Sequence, residues 1–187
     1  MSMPDEKKRK YDRQLRIWGE NGQAALESAR VCLINGGCLG TETIKNLVLP
    51  GIGAVTIVDG NLCVAEDLGN NFFVTDEHLG QPRAKVAAEM LQELNPDDAD
   101  VSKWVHEDPG ELLARSPEFF DEFSAVVATQ LGDEALRALG RRCWANGVPL
   151  IVAKICGFIG YTRVVMPELC IVVSTARPPH APRAPHY

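Results

Sequence analysis

The apolar positions of this chain repeat with two different periods. Over residues 5–29, Tyr11, Leu15 and Trp18 recur at helical spacing, and Ala24, Ala25 and Leu26 continue that face beyond Gly19, predicting a helical opening segment. Val31-Cys-Leu-Ile34 is a short unbroken apolar run, the pattern of a strand buried on both faces. Asn35-Gly-Gly-Cys-Leu-Gly40 interrupts it, a helix is expected over Thr41–Leu49, and Pro50-Gly-Ile-Gly53 ends that helix. Val55–Val58 reads as a second strand closed by Asp59-Gly60-Asn61.

Further along, Pro82 opens a helix that reaches Leu94 and stops at Asn95-Pro96. Val101–Val105 is a weak strand signal, and Glu111–Phe123 predicts one or two short helices. Ala125–Ala128 and Val148–Ala153 read as buried strands on either side of a helix over Asp133–Ala145. Tyr161–Met166 alternates apolar and polar residues, as an antiparallel strand would. There is no internal repeat. From Ala176 the chain is proline-rich, which bars helix and central strand and predicts a disordered tail.

Composition narrows the classes. A chain of 187 residues, 45% of them hydrophobic, suits one α/β domain with a sizeable core. A net charge of −6 argues against non-specific nucleic-acid binding. The basic run Lys7-Lys-Arg-Lys10 reads either as a localisation or partner contact or as a solvated helix start. No stretch has the apolar length of a membrane span, and the charged N-terminus is unlike a secretory signal, so a cytosolic or nuclear protein is expected. The six cysteines form no C-x-x-C pair and no zinc-like spacing, so no metal is expected; Cys32 and Cys156, in or beside apolar runs, are expected to be small core residues.

Strand, glycine turn, helix, strand and acid together make a βαβ nucleotide-binding pattern. In such a turn the glycines allow a tight bend and close approach of phosphate, and the helix N-terminus favours an anion. Asp59, 19 residues beyond Gly40, is placed to accept hydrogen bonds from ribose. The G-x-G-x-x-G pattern has Gly37 and Gly40, but Asn35 stands where its first glycine would be. On these residues alone, a nucleotide site and a tight turn with no nucleotide remain equally open.

Tyr11 to Gly19 (YDRQLRIWG), Val31 to Leu47 (VCLINGGCLGTETIKNL), Asn46 to Gly53 (NLVLPGIG) and Glu66 to Phe73 (EDLGNNFF) carry a resemblance. So do Val127 to Leu131 and Gly157 to Tyr161. Across roughly residues 9–169 these segments resemble the activating enzymes of ubiquitin-like modifiers, whose fold is a Rossmann-like, ThiF/MoeB-type adenylation domain. Within that family the resemblance is strongest to the regulatory subunits of the neddylation branch. The small SUMO-activating subunits share the opening signature, and Gly69 to Phe73 favours neddylation.

The resemblance implies a division of labour. Active members bind ATP and magnesium, adenylate the modifier's C-terminal glycine and pass it to a cysteine; in heterodimers the other subunit has lost that chemistry. Here Asn35 replaces a glycine, Asn70 and Asn71 stand where active members carry a phosphate-binding arginine, and Thr129-Gln130 stand where a magnesium-binding aspartate is expected. Arg83 replaces a lysine and keeps its charge. Three of those four positions are degraded, so no ATP or magnesium is expected in this subunit.

What is expected is a scaffold for a catalytic neddylation-activating partner and, through it, the modifier. Gly37, Gly40 and Asp59 remain either as a degenerate nucleotide turn or as turn geometry alone. Arg13, in the Y-x-R-Q motif, would reach the partner's ATP in trans, the bland alternative being a surface salt bridge. No cysteine is expected to serve as thioester nucleophile. An autonomous adenylating enzyme and an NAD-dependent oxidoreductase are the competing readings. The implied layout is a helical arm over 1–30, a partial adenylation domain over 31–170, incomplete at its C-terminus, and a divergent tail over 171–187.

Overall fold

The computed structural model describes residues 4–168; the expected tail at 171–187 lies outside them. β1 (Arg30–Ile34) is the centre of a six-stranded sheet because it can be apolar on both faces. Val31 and Leu33 enter one core with Ile44 and Val48 of α3 (Cys38–Val48) and with Ala84, Ala87 and Leu91 of α4 (Arg83–Leu94). Cys32 and Ile34 point the other way, to Leu112 of α5 (Pro109–Arg115) and Leu139 and Cys143 of α6 (Asp133–Asn146). Helices therefore cover both faces of the sheet, which is the α/β layering the sequence predicts.

The strand order is β3-β2-β1-β4-β5-β6. β2 (Ala54–Val58), β3 (Asp100–Val105), β4 (Ala125–Thr129) and β5 (Leu150–Cys156) join β1 in parallel register, whereas β6 (Ile159–Val165) runs antiparallel to β5. The order reverses between β1 and β4, so the crevice at their carboxyl ends is where a ligand site is expected in such a sheet. The weak pattern over Val101–Val105 has a physical reason: β3 is an edge strand with a register shift, and of its residues only Val101 is buried. β5 runs three residues beyond its expected end, because the hairpin through Gly157 and Phe158 extends its pairing as far as Cys156 with Ile159. β6 has its anticipated direction, yet all of it except Val165 is exposed. Cys156 is likewise exposed, not in the core, because it lies at the hairpin end beyond the helical layers; Cys32 is fully buried as expected.

The opening segment is not one helix. α1 (Asp5–Lys10) ends at Tyr11, and α2 (Asp12–Ser28) is kinked at Gly19, whose φ of 69° is left-handed. Of the expected apolar face, Tyr11 is buried while Trp18 is exposed, and the residue α2 buries is Gln23. Its amide is fully used: Oε1 accepts from Gln14 (2.6 Å) and Trp18 (3.2 Å), and Nε2 donates to Glu27 and to the Pro50 carbonyl (both 3.0 Å). A buried amide is stable only when so satisfied.

The basic run is an internal clamp: Lys7 and Lys10 both pair with Asp98, Lys7 also with Glu27, and Lys8 with Glu20. Tyr11 donates its hydroxyl to Asp98 at 2.8 Å. Burial alone would raise the Asp98 carboxyl, but hydrogen bonds from Lys10, Tyr11 and Lys7 outweigh it and push it down to about 2. A carboxylate depressed in the fold stabilises it above its unfolded pKa, and that stability is lost as pH falls through the folded value. Stability should therefore drop between about pH 4 and pH 2 by no more than about 2 kcal/mol, and by less than that because Lys10 is 43% exposed. Urea titrations across that range check this, and Asp98→Asn should flatten the dependence.

Candidate functional site

The crevice at the ends of β1 and β4 holds a cleft of about 400 Å³, lined by the start of α3, the Asn61–Asn70 loop, Arg83 and the Thr129-Gln130 pair. Asn35, directly after β1, has a φ of 66°. Asparagine is among the few non-glycine residues that tolerate the left-handed region, so it keeps the turn a glycine would make. Its backbone N–H donates to the Val58 carbonyl (2.9 Å) and its side-chain amide to the Thr129 carbonyl (2.7 Å).

Gly37 is the N-cap of α3, which starts at Cys38, three residues before the expected helix start. Gly40 lies in the first turn, where a Cβ would stand 2.2 Å from the Asn35 carbonyl oxygen. Both glycines line the cleft, and Asp59 lies beside their turn, bound to the Gly36 N–H.

What that arrangement leaves for a ligand is small. Asp59 is fully buried. Its Oδ2 accepts from the Gly36 N–H (2.9 Å) and Arg83 Nε (2.7 Å), and its Oδ1 accepts from the backbone and side-chain nitrogens of Asn61 (2.9 and 2.8 Å). Arg83 Nη1 also reaches Asp67, at 3.3 Å. Burial would lower the Arg83 pKa; the hydrogen bond and charge of Asp59, then those of Asp67, hold it above the ordinary value. Its charge is therefore spent on two internal carboxylates.

The remaining positions are likewise engaged. Asn71 is buried, donating to the Gly36 carbonyl (3.2 Å) and accepting from Thr41 Oγ1 (3.3 Å), while Asn70 donates to the Glu66 carbonyl at the cleft rim. Thr129 Oγ1 donates to the Asn35 carbonyl (2.8 Å). Gln130, with a φ of 50°, pairs its side-chain amide with the backbone of Ile155, donating at 3.1 Å and accepting at 2.9 Å. Glu66 lines the cleft with no cation partner among the described residues, so its charge opposes a phosphate there. These residues do not fit magnesium and a triphosphate.

Arg13 lies outside the cleft, exposed in the first turn of α2. It makes no ion pair among the described residues. Its neighbours in the motif explain its presentation: Tyr11 is buried, and Gln14 donates to the Pro50 carbonyl at 2.8 Å. Sequence reasoning missed Asp67 and the side-chain pairing of Gln130. Asp67 had a signal, being an acid in a loop otherwise matched by motif; the Gln130 contact crosses 25 residues and had none.

The family model for the ThiF family matches residues 11–183. The chain belongs to the ThiF family. Its match runs past residue 170, into the stretch set apart by sequence as a divergent tail. This ThiF-family chain is 50% identical over 168 residues to the NEDD8-activating enzyme E1 regulatory subunit of Xenopus laevis, covering 90% of this chain and 31% of that one. The corresponding Danio rerio subunit is 52% identical over 169 residues, covering 90% and 31%. The chain thus spans about a third of the length of these curated relatives. The structure of the E. coli tRNA N6-threonylcarbamoyladenosine dehydratase TcdA in complex with AMP superposes with a TM-score of 0.69 at 21% identity, over 81% of this chain and 61% of that one, a likeness of fold alone. Among the described residues no helix is long and apolar enough to cross a membrane.

Proposed function

We infer that the chain is part of a regulatory subunit of a neddylation-activating enzyme, one that supports adenylation of the modifier by a catalytic partner holding ATP and magnesium. The observation that carries this reading is the closed polar circuit of the cleft, in which Arg83 bridges Asp59 and Asp67 while Gln130 binds Ile155. With those groups engaged, binding ATP would cost the desolvation and rupture of a buried ion pair before any phosphate contact formed. The identity to NEDD8-activating regulatory subunits supports the neddylation branch over the SUMO branch. Nothing in the cleft favours autonomous adenylation or hydride transfer.

The layout follows: an arm over 1–30, a partial adenylation domain over 31–170, and cytosolic or nuclear action. Gly37, Gly40 and Asp59 hold turn geometry here, and nucleotide chemistry resides in the partner. Calorimetry of the isolated chain with ATP and magnesium is expected to give no binding heat; micromolar binding would sink the reading.

Arg13 contributes in trans. Held out by Tyr11 and Gln14, its guanidinium is free to meet charge on a triphosphate bound by the partner. In a complete heterodimer, Arg13→Ala should slow ATP–pyrophosphate exchange about 10²-fold, comparable to removing one preorganised donor from an active site. An unchanged exchange rate would leave Arg13 with no such role. Cys32, Cys63 and Cys143 are poorly suited to carry the modifier: burial pushes the Cys143 thiol up to about 11 and raises those of Cys32 and Cys63.

A further inference from the structure

The described residues form a second groove, away from the nucleotide cleft. It lies between α6 and the β5–β6 hairpin and has a volume of about 670 Å³. The register places Leu150 beside Val165, Val152 beside Arg163 and Lys154 beside Tyr161, and these pairs form its sheet wall. One face of α6 forms the opposite wall, with Leu136 and Trp144 at helical spacing and Arg137 and Arg141 between them. Trp144 is 55% exposed and Tyr161 51%, so two large aromatic side chains stand half in water around a floor of the part-buried Leu136 and Val165. Aromatic and arginine side chains around such a floor are what the energetic centres of protein interfaces are built from.

The charge of the groove is the second observation. The chain as a whole is at −6, yet the groove gathers Arg137, Arg141, Lys154 and Arg163 against the single acid Asp133. Lys154 is paired with Asp133 at 2.7 Å. The three arginines have no ion pair among the described residues. Among the described residues α6 covers β4 and the near side of β5 and no helix lies over β6; a second helix laid beside α6 would continue the layer that α5 and α6 begin.

We propose that this groove docks an acidic amphipathic helix of another polypeptide, with apolar side chains on Leu136, Trp144, Tyr161 and Val165 and carboxylates facing Arg137, Arg141 and Arg163. The apolar floor supplies affinity, and the arginines set orientation and exclude basic helices.

The test uses the intact 187-residue chain and a fluorescein-labelled synthetic helix of about five turns, with Leu and Phe on one face flanked by Glu. A second peptide carries Lys in place of Glu, and a third carries Ser in place of the apolar residues. At physiological salt the acidic peptide should bind at least about tenfold more tightly than the basic one, and the serine peptide should not bind. Combining R137E and R163E, both at exposed positions, should invert the charge preference. The peptide comparison stands on the unaltered chain, so it holds even should the variant misfold. Equal binding of acidic and basic peptides, or no binding of the acidic one, would overturn the proposal. So would light scattering that finds a dimer converted to monomer by Tyr161→Asp, since the groove would then hold a second copy of this chain.

Discussion

Replacing Arg83 with methionine is expected to remove about 3 kcal/mol of unfolding free energy. Methionine keeps much of the side-chain volume but leaves Asp59, which is fully buried, without its cation. The loss of one partner from a buried pair costs more than the pair itself contributes, because an uncompensated charge remains in a low-dielectric site. Gly36 and Asn61 still donate to Asp59, which keeps the cost at the lower end of the range for such deletions. In urea the midpoint should fall at unchanged slope. The double replacement of Asp59 by Asn and Arg83 by Met should regain part of the loss, since it removes both charges. A single Arg83→Met variant as stable as the parent would mean that the clamp is not a structural element.

Gly40→Ala should be of similar size, about 3 kcal/mol, by a different route. The added Cβ would stand 2.2 Å from the Asn35 carbonyl oxygen, which is backbone and cannot swing aside. That oxygen is itself held by Thr129 Oγ1, and the Asn35 N–H is bound to Val58. The start of α3 would have to move away from the end of β1, and the cleft would deform with it. Gly140→Ala in α6 is the natural control: its Cβ would meet only Leu150, at 3.9 Å, so the variant should gain about 0.5–1 kcal/mol from helix propensity. Thermal or urea unfolding of both variants separates close packing from glycine's general cost in a helix.

Much of the fold could be read from the pattern of residues because the central strands are buried on both faces and their apolar runs are unbroken. β1, β2 and β4 fall within a residue of their expected bounds. The misreadings cluster where long-range contacts override local pattern. Tyr11 breaks the opening helix because its hydroxyl is drawn to Asp98 and Asn95, and neither partner is visible to periodicity. β5 is longer than its apolar run because a hairpin partner extends it, and that partner also carries Cys156 out of the core.

In the cleft, the resemblance singled out the altered positions but not their partners. Arg83 kept its charge, as its side chain implied; that the charge would be consumed by Asp59 and Asp67 depends on a loop fold that no spacing rule specifies.

The Asn35-Gly36 turn has one more consequence, for how the protein ages. An asparagine followed by glycine is the sequence most prone to deamidation, because the next backbone nitrogen can attack the side-chain amide and close a succinimide ring. Here the Gly36 nitrogen is bound to Asp59 and the Asn35 amide to the Thr129 carbonyl, so neither reacting group is free to approach the other. The chain carries the same dipeptide twice more, at Asn21-Gly22 in α2 and at Asn146-Gly147 at the end of α6; both asparagines are exposed, and the Asn146 amide is bound only at the surface, to Asp121 (2.9 Å). Chemical damage in the folded protein should therefore accumulate first at these two exposed helical sites, whose bonds open by local fraying, while the turn at the heart of the sheet stays intact for as long as the fold does.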